Sequence, residues 1–277
     1  ADDSFQGNFR ALWDSSGSDT LDASGIAAGV VLDLNPGMRS DIGLAVQAFS
    51  YAGAATSHAT YTRTLAIAEG TVIENAVGTA YDDVIRGNSA NNRIDGGDGL
   101  DTVIYQGARS DFSIRQQGDA HVLADRSGRE GTDTLRQVER IEFADRCLAL
   151  DLDGNAGVAA RILGAVAGKA AVQNAAHVGR VIGLLDNGMS RSDVADYVID
   201  AALGTPHTHQ SFVALLYGNV AGTAPGAAEL AYYTQLLDSG QASQSSLALL
   251  AADSTGNAAR IDLTGLAATG LEYLPQA

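Results

Sequence analysis

The chain has 277 residues, a formal net charge of −16 and a sequence pI of about 4.4. A field of this sign repels phosphate groups, which argues against nucleic acids and anionic membrane surfaces as partners. A surplus of carboxylates suits hard cations such as Ca²⁺ instead. Hydrophobic residues make up 45% of the chain, enough for a buried core. Cys147 is the single cysteine, so no internal disulfide can form.

The sequence shows neither a membrane span nor an export leader. It contains no run of about 18 apolar residues, so we predict no transmembrane helix. The first residues lack the basic and apolar regions of a signal peptide, and the chain does not begin with Met. We therefore expect a processed, trimmed or partial chain.

The composition changes near residue 155. Before it, short β-branched segments alternate with Gly, Asp, Asn and Ser, which predicts strands at 29–34, 83–86, 102–105 and 112–114. After it, apolar residues recur at helical spacing, as at Ala159, Ile162, Leu163 and Val166. Ser190 begins a capping box with Asp193, and a further helix is bracketed by Pro225, in its first turn, and Gly240. We predict an α+β protein with a β domain at 1–150 and an all-α bundle of about five to seven helices at 151–277.

Three nine-residue blocks follow one another over residues 78–104. Each begins with Gly; the sixth positions hold Asp83, Asn92 and Asp101, and the eighth hold Ile85, Ile94 and Val103. The third block matches G-G-x-G-x-D-x-U-x, the calcium-binding nonapeptide of parallel β-helical proteins. The repeat therefore predicts a parallel β-roll with calcium-binding turns.

The spacing of the blocks predicts where a cation would lie. Each nonapeptide forms a turn and a short strand, so turns on one side recur every eighteen residues and bring Asp83 next to Asp101. Backbone carbonyls from positions two and four and the carboxylate at position six, from both turns, would supply about six oxygens, which suits Ca²⁺ rather than Zn²⁺. The core between the strands would be one side chain thick, so the metal would contribute folding energy.

The flanking sequence resembles a known family. The segments 12–25, 40–43 and 72–78, followed by the nonapeptides, resemble the C-terminal β-roll domain of serralysin-type secreted metalloproteases over residues 9–104. Segments 105–112 and 131–143 resemble the ends of repeat-in-toxin proteins. Residues 155–277 resemble a helical domain of unknown function that often follows such repeats.

The resemblance implies calcium as the cofactor and a specific set of ligands. These are Asp14, Ser16, Gly17 and Asp19; Val72 and Glu74; Thr79, Tyr81 and Asp83; Asn88, Ala90 and Asn92; and Gly97, Gly99 and Asp101. We expect two calcium ions, with one or three as alternatives. Gly is usual at positions 79 and 81, so left-handed backbone there would be strained. The partner turn of residues 88–92 is expected at 106–110, where the repeat is lost.

Function is predicted mainly from the resemblance. No H-E-x-x-H occurs, so the family's protease activity is not inherited and we predict no enzyme. Our leading hypothesis is a secreted calcium-binding protein for cell-surface structure, adhesion or partner binding. The alternatives are the secretion and folding half of a larger enzyme, or a helical bundle that binds haem or a lipid. The resemblance implies type I secretion from a Gram-negative bacterium, with the signal near the C-terminus. Expected partners are calcium ions and another extracellular protein or a second copy.

Overall fold

The computed structural model describes residues 9–52 and 55–275. The chain divides into two compact units, residues 1–145 and 146–277. Strands form the first unit and helices dominate the second, so the α+β class with strands before helices is confirmed. The domain limits of the sequence analysis, 1–150 and 151–277, stay a prediction. Within the described ranges, no helix is both long and apolar enough to span a membrane.

The first unit is built from short strands. Their bounds are β1 Arg10–Leu12, β2 Thr20–Asp22, β3 Val31–Asp33, β4 Arg39–Ser40, β5 Val46–Ala52, β6 Ala55–Tyr61, β7 Leu65–Ile67, β8 Asn75–Val77, β9 Val84–Arg86, β10 Arg93–Asp95, β11 Thr102–Ile104, β12 Phe112–Gln117, β13 Ala120–Asp125, β14 Thr132–Arg136 and β15 Arg140–Glu142. A 3₁₀ turn at Arg109–Asp111 precedes β12.

Two parallel arrays of strands organise this unit. Strands β2, β8, β10 and β14 are neighbours in one array, and β3, β9, β11 and β15 are neighbours in the other. Arg93 pairs with Asn75 and Thr102 with Val84, in each case eighteen residues apart. This register confirms the predicted spacing. The antiparallel hairpin β12–β13 lies between β11 and β14 in the chain, and β13 pairs antiparallel with β14.

The apolar core of the nonapeptides is thin. Ile85, Ile94 and Val103, one from each block, have 0%, 1% and 0% of their surface exposed. Each strand is three residues long, so alternation of side chains buries one large apolar residue per strand. Tyr105, whose ring lies 5.0 Å from that of Phe112, begins an aromatic cluster after the last block.

The second unit is mainly helical. Its helices are α1 Asn155–Ala167, α2 Lys169–Val172, α3 Ala175–Asp186, α4 Arg191–Leu203, α5 His209–Ala221, α6 Ala227–Asp238, α7 Gln244–Ala252, α8 Thr255–Arg260 and α9 Leu263–Thr269. Strand β16 Cys147–Ala149 pairs antiparallel with β17 Leu271–Tyr273. The described residues form more helical segments than predicted, because α2, α8 and α9 are short pieces of four, six and seven residues.

Local sequence signals place the longer helices. The apolar face of α1 is buried, as predicted. Ser190 is the N-cap of α4, and its hydroxyl accepts a hydrogen bond from the backbone N–H of Asp193. Helix α6 begins after the N-cap Gly226, so Pro225 precedes the helix rather than lying in its first turn. Gly240, with φ +71°, follows its C-cap as expected.

Candidate metal centres in the repeat turns

The first and third nonapeptide turns lie directly against each other. A Cβ atom on Gly97 would lie 2.0 Å from the carbonyl oxygen of Thr79, and one on Gly99 would lie 2.7 Å from the carbonyl carbon of Tyr81. Both glycines have positive φ, +101° and +134°, which residues with a side chain rarely adopt. Glycine is therefore required at both positions, and it brings backbone carbonyls of one turn against the other turn.

The carboxylates at position six hold the two turns in place: one accepts a hydrogen bond from the other turn, and one accepts hydrogen bonds within its own turn. The backbone N–H of Asp83 donates to Oδ1 of Asp101 at 2.8 Å. The N–H of Thr79 donates to Oδ2 of Asp83 at 2.5 Å, and the Thr79 hydroxyl donates to Oδ1 at 3.0 Å. The structure thus brings the predicted residues of the first and third turns together, with Asp83 and Asp101 almost fully buried.

Asp101 carries an uncompensated buried oxygen. Its Oδ2 is buried and has no hydrogen-bond partner, although the whole residue has 0% of its surface exposed. Burial raises the pKa of Asp101 to about 7, with a smaller contribution from the negative charge of Glu139 and against the hydrogen bond donated by the Asp83 N–H. A buried carboxylate oxygen without a hydrogen-bond partner is costly. The site has the electrostatic character of one that a cation would stabilise.

The expectation of a strained, left-handed backbone at Thr79 and Tyr81 is wrong. In the described ranges, the residues other than glycine with positive φ are Gln137 and Asp262. The Thr79 hydroxyl accepts a hydrogen bond from the Tyr81 N–H at 3.0 Å. This side chain therefore stabilises the turn in an ordinary backbone conformation, without glycine.

A second candidate centre lies around Asp19. Its backbone N–H donates to Oε2 of Glu74 at 2.9 Å, while its own Oδ2 is buried without a hydrogen-bond partner. Desolvation raises the pKa of Asp19, and the negative charges of Asp14 and Glu74 add to this effect. Gly17, with φ +144°, passes close to the Asp19 carboxylate. The side chain of Val72 carries no oxygen, so this residue could contribute only its backbone carbonyl.

The middle turn, residues 88–92, lies on the other array and has an unexpected partner. The N–H of Asn92 donates to Oδ1 of Asp133 at 2.8 Å. A Cβ atom on Gly131 would lie 2.3 Å from the carbonyl oxygen of Ala90, as Gly99 lies against Tyr81. The partner turn is therefore at 128–133, and the expectation of 106–110 is wrong because the hairpin β12–β13 is inserted between the two turns.

Sequence reasoning missed two carboxylates that continue the repeat. Asp133 occupies position six of residues 128–136, which read Gly-Arg-Glu-Gly-Thr-Asp-Thr-Leu-Arg and keep most of the nonapeptide pattern. Glu139 accepts the Asp101 N–H at 2.9 Å, as Asp101 accepts that of Asp83. The first could have been found by searching for the pattern across an insertion. The second has no such signal, because its turn is shortened.

These centres are not clusters of ligating side chains. In the part of the chain that the structure describes, no group of three or more His, Cys, Asp or Glu residues is placed to hold a metal ion. Backbone carbonyls would have to supply most of the oxygens, as is common for Ca²⁺ and not for Zn²⁺.

The helical unit contains a separate apolar cavity of about 300 Å³. Val213, Leu216 and Leu247 contribute to its lining, with Tyr217 and Tyr233 as the aromatic members. None of the residues lining this cavity is His, Cys or Met. Binding of haem or a lipid by the helical unit stays a prediction.

The first unit stacks glycine turns on short parallel strands whose paired residues are eighteen positions apart. The side chains at position six are buried, and this combination is typical of a nonapeptide-repeat protein. The family model described as peptidase M10 serralysin C terminal matches residues 1–157, and the chain belongs to this family. The matched model describes the C-terminal region of these proteins, which is compatible with a non-catalytic role. A model described as a domain of unknown function (DUF4214) matches residues 194–261.

Individual relatives match only part of the chain. Serralysin G of Dickeya chrysanthemi is 39% identical over 85 residues, and serralysin of Proteus mirabilis is 34% identical over 84 residues. These matches cover 31% and 30% of this chain, and the chain spans 14% of each relative's length. A crystal structure of extracellular lipase LipA from Serratia marcescens matches at 17% identity over 27% of this chain and 15% of that protein. Its TM-score of 0.22 supports no argument about the fold.

Proposed function

We propose that this chain is the calcium-dependent folding region of a secreted serralysin-type protein, exported by a type I machine. In this proposal the first unit folds as a parallel β-roll when Ca²⁺ binds between stacked turns. The observation that carries the proposal is the Asp101 carboxylate, which is fully buried with Oδ2 unpaired. Family membership supports the choice of Ca²⁺ and the secreted location.

The residues of the first and third turns fit a calcium ion. Asp83 and Asp101 would supply carboxylate oxygens, and positions 79, 81, 97 and 99 would supply backbone carbonyls. Asp19 and Glu74, with the carbonyls of residues 17 and 72, would hold a second ion. When bound, each ion supplies the positive charge that compensates buried carboxylates, which makes the binding free energy part of the folding free energy.

This dependence suits export followed by folding. Where calcium is scarce, the clustered carboxylates repel one another and oppose the stacking of the turns. Millimolar calcium outside the cell matches the affinity of extracellular calcium modules, so the first unit would fold after export. The 277 residues lack H-E-x-x-H, so we propose that they supply no catalytic zinc site of the serralysin type. A role in adhesion or in binding a protein partner stays a prediction.

The substitution Asp101→Asn tests the proposal, with Asp98→Asn as the control. Asp98 lies in the same turn with its side chain exposed. By titration calorimetry at neutral pH, we expect two Ca²⁺ ions per wild-type chain, one fewer in Asp101→Asn and no change in Asp98→Asn. An unchanged stoichiometry in Asp101→Asn, or no calcium binding by the wild type at millimolar concentration, would overturn the proposal.

Trp13 offers an independent readout of the second ion. It is the single tryptophan of the chain, precedes Asp14 and is 75% exposed. We expect terbium bound near Asp19 to show tryptophan-sensitised emission that Asp19→Asn reduces strongly and Asp101→Asn retains. Equal emission from both variants would argue against an ion at Asp19.

A further inference from the structure

The turn at residues 88–92 is closed by side-chain amides. Nδ2 of Asn92 donates to the carbonyl oxygens of Ile73 at 3.3 Å and Glu74 at 3.1 Å, and to Oδ1 of Asn88 at 3.1 Å. Nδ2 of Asn88 also donates to the Ile73 carbonyl, at 2.7 Å. Asn92 is 1% exposed and Asn88 is 5% exposed. Three oxygens of the two turns therefore surround one buried NH₂ group.

The hydrogen-bond network fixes the orientation of both amides. Oδ1 of Asn92 accepts from the Asn88 backbone N–H at 2.8 Å, and Oδ1 of Asn88 accepts from the Ala90 N–H at 2.9 Å. Reversing the Asn92 amide would place its oxygen against carbonyl oxygens and its nitrogen against an N–H donor. The nitrogen, rather than the oxygen, therefore faces the oxygens of the neighbouring turn.

The carboxylate on the other side of this turn is also satisfied. Oδ1 of Asp133 accepts from the Asn92 N–H at 2.8 Å, and Oδ2 accepts from the Tyr105 hydroxyl at 2.7 Å. Tyr105 packs against Phe112 and Phe143, which hold its ring in place. Asp133 and Asp101 occupy equivalent positions, but only Asp101 has an oxygen without a partner.

We propose that residues 88–92 form a calcium-independent clamp, in which the Asn92 side-chain amide takes the place of a cation between this turn and residues 72–74. This inference deepens the proposed function and rests on it, because it assigns calcium to some turns and denies it to this one. It differs from the expectation that Asn88, Ala90 and Asn92 are ligands. At position six, Asp101 leaves one buried oxygen that a cation would compensate, whereas the Asn92 amide brings its own donor hydrogens.

The substitution Asn92→Asp tests the clamp, because it replaces the donating nitrogen with a carboxylate oxygen facing three other oxygens. We expect Asn92→Asp to bind one Ca²⁺ more than the wild type by titration calorimetry. We also expect a lower melting temperature in excess chelator, with the difference removed at millimolar calcium. The same ion number and the same melting temperature as the wild type would overturn the proposal.

Asn92→Ala separates hydrogen bonding from metal binding. We expect this variant to melt at a lower temperature with and without calcium, while the number of bound ions stays that of the wild type. Loss of one ion would show that Asn92 is a ligand and would overturn the clamp. Asp101→Asn in parallel keeps the two proposals distinct, since an unchanged ion number there counts against the proposed function and not against the clamp.

A wild-type crystal grown at millimolar calcium decides the question without any variant. We expect anomalous density between residues 79–83 and 97–101, and none between residues 72–74 and 88–92. Density from an ion within coordination distance of the Asn92 side chain would overturn the proposal, whether or not the variants fold.

Discussion

The two units of this protein bury different kinds of residue. In the described part of the helical unit, the buried polar residues are Ser245 and Asn257, and neither carries a charge. The strand unit buries the carboxylates of Asp83, Asp101 and Asp133 next to a core of one large apolar side chain per strand. The helical core, by contrast, is a continuous apolar cluster that draws on α1, α3, α4, α5 and α7.

This difference teaches where a cation matters. An apolar core is stabilised by removing surface from water, which needs no ion. Buried carboxylates oppose folding unless a positive charge or hydrogen-bond donors compensate them. We therefore expect the stability of the strand unit to depend on calcium and that of the helical unit to be independent of it.

The largest expected effect tests the calcium-independent side of the comparison. Phe212 is fully buried in α5, and Phe212→Ala should destabilise the helical unit by about 3–5 kcal/mol. Urea unfolding followed by the helical circular dichroism signal measures this loss. We expect the same loss in chelator and in millimolar calcium. Tyr232→Ala, at a side chain 59% exposed, is the matched control and should change stability by about 0.5 kcal/mol or less. If calcium restored the stability lost in Phe212→Ala, the helical unit would depend on calcium, and the contrast between the two units would fail.

A smaller effect is expected from pH in the absence of calcium. Burial raises the pKa of both Asp101 and Asp133 to about 7, well above the 3.8 of an ordinary Asp side chain. Between about pH 4 and pH 7, Asp101 and Asp133 keep their protons in the folded state, whereas the same side chains have lost theirs in the unfolded chain. The free energy of unfolding of the strand unit should therefore fall as pH rises from about 4 to about 7, by a few kcal/mol in total.

Thermal melting at several pH values in excess chelator measures this dependence. We expect the melting temperature of the strand unit to be higher at pH 5 than at pH 7.5, and calcium to reduce this difference by favouring the ionised form of Asp101. If the melting temperature of the strand unit in chelator rose with pH, burial of the ionised Asp101 carboxylate would not be destabilising, which would contradict the account.

The smallest effect concerns a helix cap. Ser190→Ala removes the acceptor for the Asp193 N–H at the start of α4 and should cost about 1 kcal/mol. Ser192, exposed in the first turn of the same helix, gives the control Ser192→Ala, which should be neutral or slightly stabilising. Both values, from urea unfolding, should be the same with and without calcium. If the stability lost in Ser190→Ala changed with calcium, the helical unit would not be independent of calcium.

Much of the strand unit was predictable because its signals are periodic. Glycine and a polar residue recur at fixed positions every nine residues, so the eighteen-residue register and the meeting of Asp83 with Asp101 follow from counting. The role of Asp133 does not, because 41 residues separate it from Asn92 and the hairpin β12–β13 interrupts the count. Glu139 was hidden for a related reason, since its turn is shorter than the repeat.

The amide network around Asn92 illustrates a different limit. In a repeat pattern, Asn and Asp at position six both read as oxygen donors to a metal. Which atom of the Asn92 side chain faces the neighbouring turn depends on the backbone N–H of Asn88, and a pattern does not contain that information. The helices were easier to predict, because caps such as Ser190 act within four residues.

Hydrogen–deuterium exchange with mass spectrometry, in millimolar calcium and in excess chelator, tests the central claim most directly. We expect peptides covering residues 79–83 and 97–101 to be protected with calcium and to lose that protection in chelator. Peptides covering α1 to α5 should keep theirs in both conditions. Equal protection of residues 79–83 and 97–101 with and without calcium would contradict the account.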